Sequence, residues 1–499
     1  MSSPHPPKLV LAVIDGCKPS ELDRAVAAGT APTIAAVIER GTVVRESCAA
    51  FPSVTPVCAT SIATGTLQDH HRIPSMNWFH RGERRYVEYG SSLRAAMRLG
   101  VAQQLTDTVY NLNGKHLAED CETVFESLDD AGVRTAGTTY LVYRGRHQHE
   151  VARDTPFARV AGLAFKRPVQ GPKELFYADV FASRETGCRS QLGKPGVRDR
   201  HSGCVSAWLA ARDLFDFLLL SLPDNDTHSH KHGSDAQAES IAWADRELAR
   251  VADASGGLER FLDGHAVVVA ADHSHADVER TVALPDVFAD FAVAGARGRR
   301  MEDAEVALCP AQRSAMVYGL VEAGRGRLVP RLVEAARAAD GVDVVAWRDE
   351  DGWCAAASGR GGEPVRFRRA TGEGGVRDAR GTRWELEGDL DALALHRDGD
   401  VVDGPTYPQA LRRLEAALHC PTSGDVLLSA APTWEFLDWG GAHHVGGGSH
   451  GSLHHSDSLG ALAFCGVEPP PGHTGAWSIT DVAPMVRAHF GVTPYPGAG

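Results

Sequence analysis

Short apolar runs alternate with amphipathic stretches through the first three hundred residues, and this alternation decides what the chain can become. Leu9–Ile14 has the length and apolar content of a buried strand, and Ile34, Val37 and Ile38 mark the inner face of a helix ending at Gly41. Cys121–Ala131 reads as a helix stopped by Gly132 and followed by a strand at Val133–Gly137. Val205–Leu214 is helical and feeds the run Phe215–Leu222, while Ile241, Leu248 and Val251 line a long helix that precedes the run Ala266–Ala271. Strands that are apolar on both faces need helices on both sides, so the pattern predicts an α/β fold with a mostly parallel central sheet flanked by helices. None of these runs approaches the ~20 apolar residues that a membrane-spanning helix requires.

The stretch from 303 to 424 has a different texture. A helix around Leu328–Ala338 is followed by Gly-, Arg- and Asp-rich segments with short alternating strands such as Pro364–Arg368 and Trp384–Glu387. We expect residues 1–302 and 425–499 to build the α/β core and 303–424 to form a smaller, cap-like α+β insertion, with the chain returning to the first sheet at Gly460–Cys465.

Charge and cysteine usage narrow the setting. A net charge of −13 with a pI near 6.0 argues against a nucleic-acid polymer as partner, because such binding needs a basic surface. The N-terminal MSSPHPPK has neither a basic n-region nor a small-residue cleavage site, and the 10 cysteines are scattered without a C-x-x-C. Both features fit a cytoplasmic protein with reduced, mostly buried thiols and no membrane partner.

The chemistry gathers at predicted strand ends, where doubly wound sheets hold their ligands. The first strand ends in Ile14-Asp15-Gly16. Phe51-Pro52-Ser53-Val54-Thr55-Pro56 leads into an apolar helix, with Pro56 in its first turn and Thr55 as the expected N-cap, a position that favours an anion. The strand Phe215–Leu222 runs into PDNDTHSHKHG, which holds Asp224, Asp226, His228, His230 and His232, a density of carboxylate and imidazole suited to first-row transition metals. Ala266–Ala271 ends in Asp272-His273, with His275 two residues on. A late glycine-rich stretch, GGAHHVGGGSHGSLHHSDS, carries His443, His444, His450, His454 and His455. PDNDTHSHKHG favours a metal by itself, whereas the other pieces taken singly fit a turn, a cap or surface histidines as well. Five in one chain, most of them at strand ends, read as a metal site.

In order, spacing and strand context these residues resemble the alkaline phosphatase superfamily, and within it the nucleotide pyrophosphatase/phosphodiesterase branch. The resemblance covers Leu9 to about Arg300 and again about Gly440 to Gly466. It implies two divalent metal ions, zinc in the first instance, with manganese or iron compatible with the oxygen-containing ligand set. One ion would be held by Asp15, Asp272 and His273 together with the nucleophile Thr55, and the other by Asp226, His230 and His450, the last in an H-G motif. Asp224/His228 has the same four-residue separation as Asp226/His230; the family's Gly three residues after the histidine is Gly233, which selects His230. The remaining histidines of these clusters are expected on the surface or behind the ligands. Arg144 and Arg146 are expected on a solvated face.

The resemblance further implies a phosphoester hydrolase that works through a phosphothreonine intermediate, of the phosphodiesterase or nucleotide pyrophosphatase type, on a small phosphorylated substrate such as a nucleotide. A phosphomonoesterase and a phosphonate hydrolase are the alternatives within the superfamily. A non-catalytic metal- or nucleotide-binding protein is the alternative from another class, and the complete set of candidate ligands beside Thr55 argues against it. Neither a P-loop G-x-x-x-x-G-K-[ST] nor a strand-linked G-x-G-x-x-G is present to suggest an ATPase or a nicotinamide enzyme.

Overall fold

The computed structural model describes residues 6–151, 167–190, 198–295, 301–321, 325–372 and 374–493. Its main sheet has eight strands in the spatial order Thr42–Cys48, Leu459–Cys465, His265–Ala270, Lys8–Ile14, Phe217–Leu222, Thr135–Thr138, Glu174–Tyr177 and Phe181–Ala182. The opening strand lies between Phe217–Leu222 and His265–Ala270 and is parallel to both. Leu459–Cys465 is antiparallel to its neighbours and brings the end of the chain back into the sheet.

The two-layer cover follows from the strand pleat. Alternate side chains of a strand point to opposite faces. Leu9, Leu11 and Val13 pack with Val57, Ile62, Phe125, Leu128, Met485 and Val486 on one side. Val10, Ala12 and Ile14 pack with Leu22, Ile34, Val37, Val205, Ile241 and Leu248 on the other. The helix Thr55–Thr64 is buried from Pro56 through Thr64, which fits a helix that is apolar nearly all round and belongs in a core rather than at a surface.

A second sheet of ten strands uses segments between Val306 and Ala430. The hairpin of Val306–Ala311 and Ser314–Gly319 is followed across this sheet by Val426–Ala430 and Val342–Arg348, all antiparallel. Its inner residues, including Met316, Tyr318 and Val344, share one apolar core with the Thr55–Thr64 helix. In a small three-stranded sheet Ala276 pairs with Ser449 and Asp277 with Gly448.

Two expectations need correction. Thr55 is the first helical residue and Val54 the N-cap, because Val54 keeps an extended backbone and Pro56 falls at the second helical position. Cys188 and Cys204 form a disulfide, whereas the other eight cysteines are free and buried. The pair escaped notice because its partners are 16 residues apart, and the helix Asp199–Ala210 folds back to bring their Cα atoms to 5.9 Å. No helix among the described residues is long and apolar enough to cross a membrane.

Candidate metal centre

Four segments deliver acidic and imidazole side chains to the carboxyl-end edge of the main sheet. Asp15 follows the strand Lys8–Ile14, and Asp226 and His230 share one side of the helix Asp224–His232 that follows Phe217–Leu222. Their four-residue spacing is one helical turn, which stacks the two side chains. Asp272 and His273 follow His265–Ala270, and His275 and His450 lie at the pairing ends of the small sheet.

Two groups result, and Asp226 belongs to both. Asp226, His230, His275 and His450 have potential ligand atoms all within 4.8 Å of one another, as do Asp15, Asp226 and His273. The Asp226 Oδ1 lies 3.2 Å from His230 Nε2, 3.3 Å from His450 Nε2 and 3.0 Å from His275 Nε2. His273 Nε2 lies 3.4 Å from Asp15 Oδ1, 3.5 Å from Asp272 Oδ2 and 3.4 Å from Thr55 Oγ1. The rings of His273 and His450 stack at 3.7 Å, so the two groups adjoin.

The far sides of the rings fix their tautomers. The Nδ1–H of His230 donates to Gly448 O at 2.8 Å, that of His450 to Ser53 O at 2.8 Å and that of His273 to Ser274 O at 3.1 Å. A ring whose Nδ1 carries the proton presents a lone pair at Nε2, the form in which imidazole binds a metal. His275 differs: its Nδ1 has no hydrogen-bond partner, and its Nε2–H donates to Asp226. Asp272 Oδ1 accepts the backbone N–H of Gly16 and of His273, both at 3.0 Å, leaving Oδ2 turned toward His273. The Asn225 side chain donates to Asp15 O and that of Gln237 to Gly16 O, which holds the first loop in place.

The electrostatics call for cations. Burial, with Asp272 and Asp226 close by, pushes the Asp15 carboxyl well above its ordinary range, and its Oδ1 has no hydrogen-bond partner. Burial would also raise Asp226, but His230, His275 and His450 around it hold it well below the usual carboxylate value. Burial pushes His450 down to about 3 and keeps it neutral. Carboxylates clustered out of water are costly unless positive charge joins them. The donor set therefore fits divalent ions, with oxygen and nitrogen ligands suited to zinc and its neighbours.

The residues of the two registers point to different places. Asp224 pairs with Arg198, and His228 Nε2 faces Ala236 O at 3.2 Å, so both turn away from the cluster. His232 and His443 are exposed, and His454 bonds Ser456 beside His455. His444 stacks on His230 at 4.0 Å and is steadied by Glu435 at 3.0 Å. Arg144 holds Glu126 and nearby carbonyls, and Arg146 pairs with Asp130 and Glu126, so neither reaches the cluster.

Sequence reasoning missed one neighbour. Gln312 sits at the tip of the hairpin joining Val306–Ala311 to Ser314–Gly319, at a φ of 58°. Its Nε2 lies 3.5 Å from His230 Nε2, and its buried Oε1 has no partner. Arg313 anchors this tip through Asp457 at 2.9 Å and through a bond from its backbone N–H to His450 O. The hairpin is far from the other candidate ligands in sequence, and a glutamine at its tip is an ordinary polar turn residue, so only the left-handed backbone marked it, and that is invisible in a sequence.

The sequence matches the type I phosphodiesterase / nucleotide pyrophosphatase family over residues 9–453. Among solved structures, phosphonoacetate hydrolase from Sinorhizobium meliloti 1021 in complex with phosphonoformate is similar, with 19% identity, a TM-score of 0.56, and 97% of this chain and 96% of that chain covered. Murine ectonucleotide pyrophosphatase/phosphodiesterase 5, in an inactive form complexed with AMP, is similar at 12% identity and a TM-score of 0.57, with 99% of this chain and 97% of that chain covered. Both are alkaline phosphatase superfamily members. A comparison with curated proteins finds no match. On the strength of a match that spans nearly its whole length, the chain belongs to the type I phosphodiesterase / nucleotide pyrophosphatase family of phosphoester hydrolases.

Proposed function

We propose that the protein hydrolyses a small phosphodiester or pyrophosphate through a phosphothreonine formed on Thr55, with two divalent ions, zinc in the first instance, at the two groups. The observation that carries this reading is the meeting of Thr55 Oγ1 with His273 at 3.4 Å, beside two adjoining clusters of buried ligand atoms. Asp15, Asp272, His273 and Thr55 would hold one ion, and Asp226, His230 and His450 the other. Bound there, the ions would lower the pKa of the Thr55 hydroxyl and neutralise charge on the phosphoryl oxygens.

The chain's own groups supply the rest. Thr55 at the start of its helix aims the hydroxyl where free backbone N–H groups and the helix dipole favour a negative oxygen. Thr55 Oγ attacks phosphorus, the bond to the leaving alcohol or phosphate breaks, and that group departs with the bonding electron pair. Water then attacks the phosphothreonine in a second in-line displacement and restores the hydroxyl. Carbonyls at Ser53, Gly448 and Ser274 keep the three histidines in one tautomer throughout. The ligands named for the two similar structures, phosphonoformate and AMP, each carry a small phosphorus oxyanion, which supports the substrate class.

The test is steady-state hydrolysis of bis-(p-nitrophenyl) phosphate, the matching monoester and phosphonoacetate by zinc-loaded protein, with Thr55→Ala as background. Thr55-dependent turnover favouring the diester supports the proposal. A monoester or phosphonoacetate preference keeps the mechanism and moves the substrate class. Binding of these compounds with no Thr55-dependent turnover of any of them would point instead to a non-catalytic binder.

A further inference from the structure

The helices Leu93–Leu99 and Val101–Thr106 are built inside out. A surface helix ordinarily turns its large apolar side chains to the core. Here Leu93–Leu99 buries only the small Ala95 and Ala96, while Leu93 is 73% and Met97 57% exposed. After Gly100 no residue of the second helix is buried, and Val101 and Leu105 are exposed. Each pair is four residues apart, one helical turn, so its members lie on one side of their helix. Among the described residues seven large hydrophobic side chains are exposed, and these four are more than half of them. Single residues of that kind are ordinary on a surface, but four on two consecutive helices make a patch.

The charge around the patch is equally one-sided. Between Glu88 and Asp107 the chain has no acidic residue, although the protein carries a net charge of −13. Arg94 and Arg98 are exposed, stand one turn apart beside Leu93 and Met97, and make no hydrogen bond or ion pair among the described residues. Other exposed arginines are matched: Arg45 by Asp23, Arg146 by Asp130 and Arg377 by Asp400. A groove of about 470 Å³ is lined by Arg94, Met97, Arg98, Trp439 and the turn at Gly440–Gly441. That turn is tied to the helix, since Asp438 accepts from Ser92 and Gly440 leaves no room for a Cβ against Arg94. An occupant must supply apolar contact and negative charge together. A second copy of the chain, related by a two-fold axis, would bring the same arginines toward each other. An anionic lipid leaflet offers an acyl layer to the apolar tips and headgroup phosphates to the guanidiniums. Crossing a bilayer takes about 20 apolar residues in one run, whereas lying on one takes a single apolar helix face.

We propose that the face formed by Leu93, Arg94, Met97, Arg98, Val101 and Leu105 docks the protein on an anionic lipid surface. The test is co-sedimentation of the full-length protein with vesicles of phosphatidylcholine and phosphatidylserine mixed at about two to one, against phosphatidylcholine alone. Binding to the mixed vesicles should be the tighter. Leu93→Gln with Met97→Gln should weaken it by about 10-fold or more, because the polar side chains forfeit the apolar insertion. Arg94→Gln with Arg98→Gln should weaken it by about 25-fold, about 5-fold for each arginine at an anionic leaflet, with little change on phosphatidylcholine alone. All four side chains stand in solvent, so both variants should keep the wild-type melting temperature. Phosphatidylserine is itself a phosphodiester, and capture of its headgroup by the metal groups would survive both double variants; that result overturns the proposal. So does absence of binding to the mixed vesicles. A dimer in analytical ultracentrifugation that Leu93→Gln disperses, with vesicles left unbound, also overturns it and assigns the face to a second copy.

Discussion

Replacing His275 by Phe isolates the contribution of a single buried hydrogen bond to the metal centre. The His275 ring is fully buried and its Nε2–H donates to Asp226 Oδ1 at 3.0 Å. Phe keeps a ring of similar size and removes the donor. A hydrogen bond to a charged group contributes about 1.5–3 kcal/mol. Loss of a partner that orients a ligand typically costs about 10–100-fold in metal affinity, which is about 1.4–2.8 kcal/mol on the same scale. The two routes agree, so zinc bound through Asp226 should weaken by about 10–100-fold. Competition against a chromophoric chelator measures this directly, and a stoichiometry of two ions should resolve into one weakened and one unchanged site. Circular dichroism and a denaturation curve on the same sample separate a site effect from unfolding. Unchanged affinity at both sites in a folded variant would refute the assignment of His275 as the group that orients Asp226.

The two candidate registers can be separated by exchanging the carboxylates: Asp226→Asn should abolish binding at one site, whereas Asp224→Asn, which loses only the contact with Arg198, should leave both ions bound in the same chelator assay. Gln312→Gly should raise stability by up to about 1 kcal/mol, because glycine meets no steric penalty at the φ of 58°, while kcat/KM falls through loss of the carboxamide beside His230; thermal denaturation and kinetics on one preparation check both signs. His71 should make the fold acid-sensitive. Its Nδ1 accepts from Ile73 N–H at 3.1 Å and its Nε2–H faces Ser61 at 3.2 Å, and burial pushes its pKa down to about 3. An unfolded histidine takes up a proton near pH 6.5, so the stability this group contributes is intact above about 6.5 and is lost as pH falls toward about 3, at up to ~1.4 kcal/mol per pH unit. Urea midpoints of wild type and His71→Gln from pH 7 to pH 5 should show the steeper loss in the wild type.

The sequence carried the parts of the fold that depend on local pattern. Runs such as Leu9–Ile14 and Phe217–Leu222 are apolar at every position because both faces of the sheet are covered, and that is readable without coordinates. Asp15 and Asp272 stand out because each directly follows such a run, whereas spacing leaves Asp226/His230 level with Asp224/His228 and only the resemblance, through Gly233, selects His230. Contacts made by folding back were not visible. Cys188 meets Cys204 only after a helix reverses the chain, and of the two places open to His275, surface or behind the ligands, the second is fixed by the pairing of the strand that follows it with Gly448–Ser449, far along the sequence. Gln312 reaches His230 from the hairpin at the edge of the second sheet, where nothing in residue type distinguishes it from any polar turn. The N-cap was misplaced by one position because Pro56 is compatible with the first or second helical residue, and only the extended backbone at Val54 decides between them.

The central claim is covalent catalysis by Thr55, and its most direct measurement is a rapid acid quench of zinc-loaded enzyme during turnover of a diester, followed by peptide mass spectrometry. The account predicts a phosphoryl group on Thr55 that forms and decays with the kinetics of turnover and is absent from Thr55→Ala. Turnover at the wild-type rate with Thr55 unmodified at every quench time, or undiminished activity in Thr55→Ala, would contradict it.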